Sequence, residues 1–100
     1  MKKKIVVLGS TGSIGKNTLK ILAKDKIKFK IELLSTNKNI SKVVNQAKEF
    51  NVKNIVINDS KSFIKAKRKY KKFNIKFYNS FSILKRLFKK KKFIIVWFQL

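Results

Sequence analysis

The chain has 100 residues, is 44% hydrophobic, and carries 27 Lys plus Arg against 4 Asp plus Glu, a formal net charge of +23. That length suits one small domain with one core, and the apolar fraction argues against a disordered chain. Cysteine and histidine are absent, which removes disulfides and leaves no zinc-type ligand set.

No signal peptide is read at the start: Met1 to Lys4 is basic, but only Ile5 to Leu8 follows before a glycine loop. The longest apolar run, Phe93 to Phe98, is too short to span a bilayer. The expectation is a soluble cytoplasmic protein without a membrane partner. The charge on its face suggests a polyanion. It is nearly all lysine, with Arg68 and Arg86 the only arginines, and it accompanies heavy use of Ile, Asn and Phe. That pattern fits an A/T-rich coding sequence. The lysines are spread over every expected helix and cluster at 65–72 and 89–92, so solvated faces outweigh a specific nucleic-acid surface.

In chain order, Ile5-Val6-Val7-Leu8 is a continuous apolar run that suits a strand buried on both faces of a parallel sheet. A loop with glycine at 9, 12 and 15 follows. Ile14, Thr18, Ile21 and Leu22 then fall at helical spacing, with Leu19 widening the stripe, and Asp25-Lys26 ends that helix. Phe29 to Ser35 predicts a second strand and Asn37-Lys38-Asn39 a turn. Ile40, Val43, Val44, Ala47 and Phe50 give the cleanest amphipathic helix, capped by Asn39 or Ser41. Ile55-Val56-Ile57 predicts a third strand within 54–58, and Ser60 a cap for a third helix with Phe63, Ala66 and Tyr70 on one face. Ile75 to Tyr78 predicts a weak fourth strand, Phe81, Leu84 and Phe88 a fourth helix, and Phe93 to Phe98 a fifth strand.

The βαβαβαβαβ alternation predicts an α/β fold: a doubly wound parallel sheet of about five strands and four helices with right-handed crossovers. The last apolar strand has no helix after it to cover it, which reads as a cut edge. The expectation is one incomplete, truncated domain over residues 1–100.

The site signal is Leu8-Gly-Ser-Thr-Gly-Ser-Ile-Gly15, set between a strand and a helix. Glycine lets the chain turn and a phosphate approach, and the new helix offers free N–H groups and the positive end of its dipole. This is a Rossmann-like arrangement for a dinucleotide pyrophosphate, with G-x-x-G-x-x-G spacing. In NAD-binding relatives of such folds an acid at the end of the second strand accepts from a ribose 2′-OH. Here positions 33–40 hold none; Ser35, Thr36 and Asn37 supply donors and Lys38 a cation. The reading is therefore NADP(H) rather than NAD(H).

Those residues, with Asn17-Thr18-Leu19 and the Lys38-Asn39 pair, resemble the amino-terminal segment of the 1-deoxy-D-xylulose 5-phosphate reductoisomerases. The likeness is close over 4–24 and 33–50, looser through 52–59, and rests on pattern alone beyond about 75. The resemblance implies a Rossmann-like NADPH-binding domain. It assigns Gly9, Thr11, Gly12, Ser13, Ile14 and Gly15 to the NADPH phosphates and nearby groups. Asn37, Lys38 and Asn39 take the adenosine 2′-phosphate end, with Asn37 where many members have glycine. The family rearranges and reduces a phosphosugar to 2-C-methyl-D-erythritol 4-phosphate in non-mevalonate isoprenoid biosynthesis. It uses NADPH and a divalent metal, Mg or Mn, and the resemblance implies a homodimer.

The family's metal ligands, one Asp and two Glu, and its Asn-Lys-Glu-Ser substrate segment come later in its chain. Here the acids are Asp25, Glu32, Glu49 and Asp59, with no Asp-x-Glu pair. No catalytic or metal-binding residue is therefore assigned, the catalytic and C-terminal domains are absent from these 100 residues, and the segment is expected to be inactive alone. The terminal Phe-Ile-Ile-Val-Trp-Phe-Gln-Leu departs from the small, glycine-containing sequence of the family, as a frameshift or early stop near 90 would produce. Two other readings stay open at this point. One is the NADP-binding segment of a semialdehyde dehydrogenase or extended short-chain reductase, whose nucleophilic Cys, or Tyr and Lys, would lie downstream. The other is a basic nucleic-acid- or membrane-surface module, built on Tyr70, Phe73, Phe77 and Tyr78 among lysines.

Overall fold

The computed structural model describes residues 3–90 and 94–97, with side chains over 3–86. Nine elements alternate without exception: β1 (Lys3–Leu8), α1 (Ser13–Ala23), β2 (Phe29–Thr36), α2 (Ile40–Phe50), β3 (Asn54–Ile57), α3 (Ser60–Lys69), β4 (Lys76–Tyr78), α4 (Ile83–Lys90) and β5 (Ile94–Trp97). All strand pairings are parallel, in the order β4-β3-β2-β1-β5. The chain steps outward from β1 to β4, then crosses back through α4 to place β5 on the other side of β1. A right-handed crossover made in the opposite direction puts its helix on the opposite face.

The core divides accordingly. Ile5 and Val7 of β1 join Leu19 and Leu22 of α1, Val43, Val44 and Ala47 of α2, and Ala66 of α3. Val6 and Leu8 join Leu33, Val56 and Ile83 on the α4 side. The strand pleat, which sends successive side chains to opposite faces, explains why the run at 5–8 is apolar throughout. In β2 the register slips by one residue: Ile5 pairs with Ile31 but Val6 with Leu33. The extra residue, Glu32, lets Ile31 and Leu34 both face the three-helix side while Leu33 faces α4. Lys30 Nζ lies 3.6 Å from the Glu32 carboxylate.

All nine expected elements are present, with corrections at their edges. α1 ends at Ala23 rather than Asp25, and its buried face is Gly15, Leu19 and Leu22 while Ile14 and Ile21 are 55% and 67% exposed. A helix laid on a sheet takes its rotation from its closest contact, and here that contact is Gly15. Asn39 is the cap of α2, its side chain accepting from the Lys42 amide. α2 closes on Asn51 at φ 56, a left-handed position that Asn tolerates. Phe81 precedes α4 and packs against its core cluster. The strand ends expected at Phe93 and Phe98, and the side chain of Phe88, lie outside the described residues. Among the described residues no helix is long and apolar enough to cross a membrane.

The cap of α3 is Asp59, not Ser60: its carboxylate accepts from the Ser62 hydroxyl at 2.7 Å and the Ser62 amide at 3.1 Å. These hydrogen bonds, hydroxyl first, hold the Asp59 carboxyl below its ordinary value, with Lys38 and Lys61 adding to the effect and desolvation opposing it. A carboxylate depressed in the folded state contributes stability above its unfolded pKa and loses it as pH falls through the folded one. Asp59→Asn keeps an acceptor but not the charge. The stability advantage of the parent chain over Asp59→Asn is therefore expected to shrink as the pH is lowered below about 4, read from urea midpoints. A constant difference across that range contradicts the assignment.

Candidate functional site: the glycine loop and the end of β2

β1 and β5 diverge in connection at the point where the strand order reverses. In open α/β sheets the crevice beyond the strand C-termini at that reversal is where ligands bind. The glycine loop leaves β1 there. Its three glycines have three different physical roles. Gly9 sits at φ 72, the left-handed region that glycine occupies without strain, and its carbonyl accepts from the Gly12 amide at 3.1 Å, closing the turn. Gly15 is buried in the first turn of α1. A Cβ built there would stand 2.3 Å from Gly9 O and 2.6 Å from Ser10 Cα, both backbone atoms. Gly12 is the N-cap of α1 at φ −76, ψ 171, an extended conformation open to any residue, and it makes no side-chain cap.

Helix α1 therefore starts with its first-turn amides uncapped by any side chain. The Lys16 amide is bonded to Gly12 O, so the amides of Ser13, Ile14 and Gly15 precede the first closed helical turn. No acid lies in that turn. Thr11 and Gly12 are half-buried, while Ser13 and Ile14 are exposed. The arrangement is that of an anion cradle: orphan N–H donors, the positive helix end, and a capping position without a side chain.

The loop is tied to the end of β2. The Gly9 amide donates to Ser35 Oγ at 2.8 Å, and the Ser10 amide donates to Ser35 O at 2.9 Å. The hydroxyls of Thr11 and Thr36 lie 2.7 Å apart, and Thr36 Oγ1 also accepts from the Asn39 amide at 3.4 Å. Ser35 and Thr36, which the sequence offered as ligand donors, are buried and hold the loop instead. Gln46, from the second turn of α2 onward, grips the same loop: its Nε2 donates to Ser10 O at 2.9 Å and its Oε1 accepts from Ser10 Oγ at 2.8 Å. Sequence reading missed Gln46. Its partner lies 36 positions away, and no local pattern marks such a pair.

Asn37, Lys38 and Asn39 follow β2 directly and are all exposed. The Asn37 carbonyl accepts from the Asp59 amide at 3.0 Å, so this segment is pinned between the glycine loop and the start of α3. The structure thus brings together the two groups named from sequence, Gly9 to Gly15 and Asn37 to Asn39, at one edge of the sheet through Thr11 and Thr36. These residues suit a phosphorylated dinucleotide on their donor chemistry. They do not suit a divalent metal: among the described residues no three Asp, Glu, His or Cys side chains come together.

The sequence model of the 1-deoxy-D-xylulose 5-phosphate reductoisomerases matches residues 5–97. The reductoisomerase of Pelagibacter ubique is 46% identical over 86 residues, which is 86% of this chain and 22% of that protein. That of Clostridium novyi is 42% identical over 65 residues, 65% of this chain and 17% of that protein. Among solved structures, the Zymomonas mobilis reductoisomerase in complex with NADPH superposes with a TM-score of 0.72 at 27% identity, covering 78% of this chain and 21% of that one. A DOX-P reductoisomerase in complex with NADPH, fosmidomycin and magnesium gives a TM-score of 0.74 at 23% identity over 82% of this chain and 20% of that one, a likeness of fold. The chain spans about a fifth of the length of these relatives. With the glycine loop, the acid-free end of β2 and a family match running through all nine elements, the chain belongs to the 1-deoxy-D-xylulose 5-phosphate reductoisomerase family.

Proposed function

We propose that this chain is the NADPH-binding unit of a 1-deoxy-D-xylulose 5-phosphate reductoisomerase. The observation that carries the reading is the uncapped start of α1 at Gly12, placed beside a β2 end that presents Lys38 and no acid. Thr11, Gly12, Ser13 and Ile14 would meet the pyrophosphate through the loop backbone and first-turn amides. Gly9 and Gly15 shape that backbone. Asn37, Lys38 and Asn39 would hold the adenosine 2′-phosphate, and the nearby Asp59 is committed to capping α3. When bound, NADPH supplies the hydride for the family's reduction; this chain's residues bind and orient the cofactor.

Turnover is outside the reach of the 100 residues in this reading. The chain has 4 acidic residues and no histidine, and no group of three metal-ligating side chains is assembled among the described residues. The phosphosugar substrate, the Mg or Mn ion, a homodimeric assembly and a cytoplasmic setting belong to the longer family proteins. The dehydrogenase and short-chain reductase alternatives lose their ground to the family match. The basic-module alternative loses three of its four aromatics: Tyr70 and Phe77 lie against the main core and Tyr78 against the α4-side cluster, while Phe73 is exposed and packs on Tyr70 at 5.3 Å between ring centroids.

Lys38→Glu tests the reading. Replacing the cation by an acid at the end of β2 restores an acceptor for a 2′-OH and repels a 2′-phosphate. NADPH affinity should fall by about 10-fold or more, and NADH affinity should change little. Equal loss of both removes the assignment of Lys38 to the 2′-phosphate.

A further inference from the structure

One cationic cluster is not used by the site as described. Lys16 stands in the first turn of α1 and Lys42 in the first turn of α2. Both are half-buried and line one open groove of about 510 Å³ between these helices, together with Gln46, the residue that grips Ser10 of the glycine loop. The neighbouring Lys16 side chain as a hydrogen-bond donor, then some desolvation, then the Lys16 charge push the Lys42 pKa below its ordinary value. The carboxylate in the groove is Glu49, in the last turn of α2 at the far end. The ion pairs Asp25–Lys28 and Glu32–Lys30 lie elsewhere.

Several positive features thus converge on the sheet edge where the loop lies. Both helix N-termini point there, neither carries an acid in its first turn, and Lys38 enters α2 immediately before its cap. Such a cluster matches a compact group bearing close to two negative charges, which is a phosphomonoester rather than a diester or a carboxylate. Resting on the NADPH reading above, we propose that Lys16 and Lys42, at the starts of α1 and α2, form a second cationic arm of the 2′-phosphate site in addition to Lys38, and so set the preference for NADPH over NADH.

The test uses the full chain with Lys16→Gln, Lys42→Gln and the double variant, titrated calorimetrically with NADPH, NADH and inorganic phosphate at one ionic strength. The double variant is expected to lose about 10-fold or more in NADPH affinity while NADH affinity stays within about 2-fold. Its thermal midpoint without ligand should not fall, because two like charges have been removed from a surface groove. A parent chain that binds NADPH, combined with a double variant whose NADPH-to-NADH ratio is unchanged, overturns the inference and leaves the NADPH reading standing. Inorganic phosphate binding that disappears in the double variant with that ratio unchanged assigns the groove to free phosphate, and also overturns it. A parent chain that binds neither cofactor defeats the NADPH reading itself, and this inference with it.

Discussion

Gly15→Ala should destabilise the chain by about 3 kcal/mol and abolish cofactor binding under conditions where the parent chain is folded. The added methyl would sit 2.3 Å from Gly9 O and 2.6 Å from Ser10 Cα, closer than any carbon tolerates. Neither neighbour is a flexible side-chain end. Gly9 is held by its bond from Gly12 and its own amide to Ser35, and Ser10 by Ser35 and Gln46. Relief therefore requires α1 to lift from β1, which opens the packing of Leu19 and Leu22 against Ile5 and Val7. Urea unfolding followed by circular dichroism reads the loss. A midpoint within error of the parent would show that α1 does not approach the loop as closely as described.

Gly12→Val should act in the opposite way, sparing the fold and removing the ligand. Its φ and ψ of −76 and 171 are extended values that valine adopts readily. The stability cost is that of a poorer N-cap, about 1 kcal/mol. The isopropyl group, however, stands at the mouth of the anion cradle, where the pyrophosphate must come close to the first-turn amides of α1. NADPH affinity is expected to drop by about 100-fold or more, the loss of two charge-assisted hydrogen bonds, with the thermal midpoint lowered by only about 4–8 °C. The two glycine variants thus separate a glycine needed by the chain from a glycine needed by the ligand. If Gly12→Val binds NADPH as the parent does, the loop is only a tight turn.

The sequence made the architecture legible because the strands are short apolar runs and the helices are amphipathic, with glycine or asparagine between them. Its limits are physical and fall at particular residues. The α1 stripe expected at Ile14, Thr18, Ile21 and Leu22, with Leu19, holds for Leu19 and Leu22, yet the helix is turned so that Gly15 meets the loop backbone at Gly9 and Ser10, because side-chain size cannot reveal a position chosen for having no side chain. Ser35 and Thr36 looked like ligand donors. Their burial and their bonds to Gly9 and Thr11 make them braces for the loop, a role that depends on strands pairing 25 or so positions apart. The β2 bulge at Glu32 and the Gln46 clamp are likewise long-range facts. The cap of α3 fell on Asp59 rather than Ser60 because a carboxylate there reaches both the amide and the hydroxyl of Ser62.

The glycine spacing and the missing acid after β2 carried the site. Both are statements about what a ligand phosphate needs: close backbone approach and no competing negative charge. Assembly of the two segments at one sheet edge, through the Thr11–Thr36 contact and the Asp59–Asn37 backbone bond, could only come from the fold.

The central claim, that the loop and the β2 end together form a 2′-phosphate-selective dinucleotide site, is tested most directly by calorimetric titration of the unmodified chain with NADPH and with NADH. The account predicts one-to-one binding of NADPH, tighter than NADH by about 10-fold or more, with the difference shrinking as salt screens the lysines. Equal affinities, or tighter binding of NADH, would contradict it.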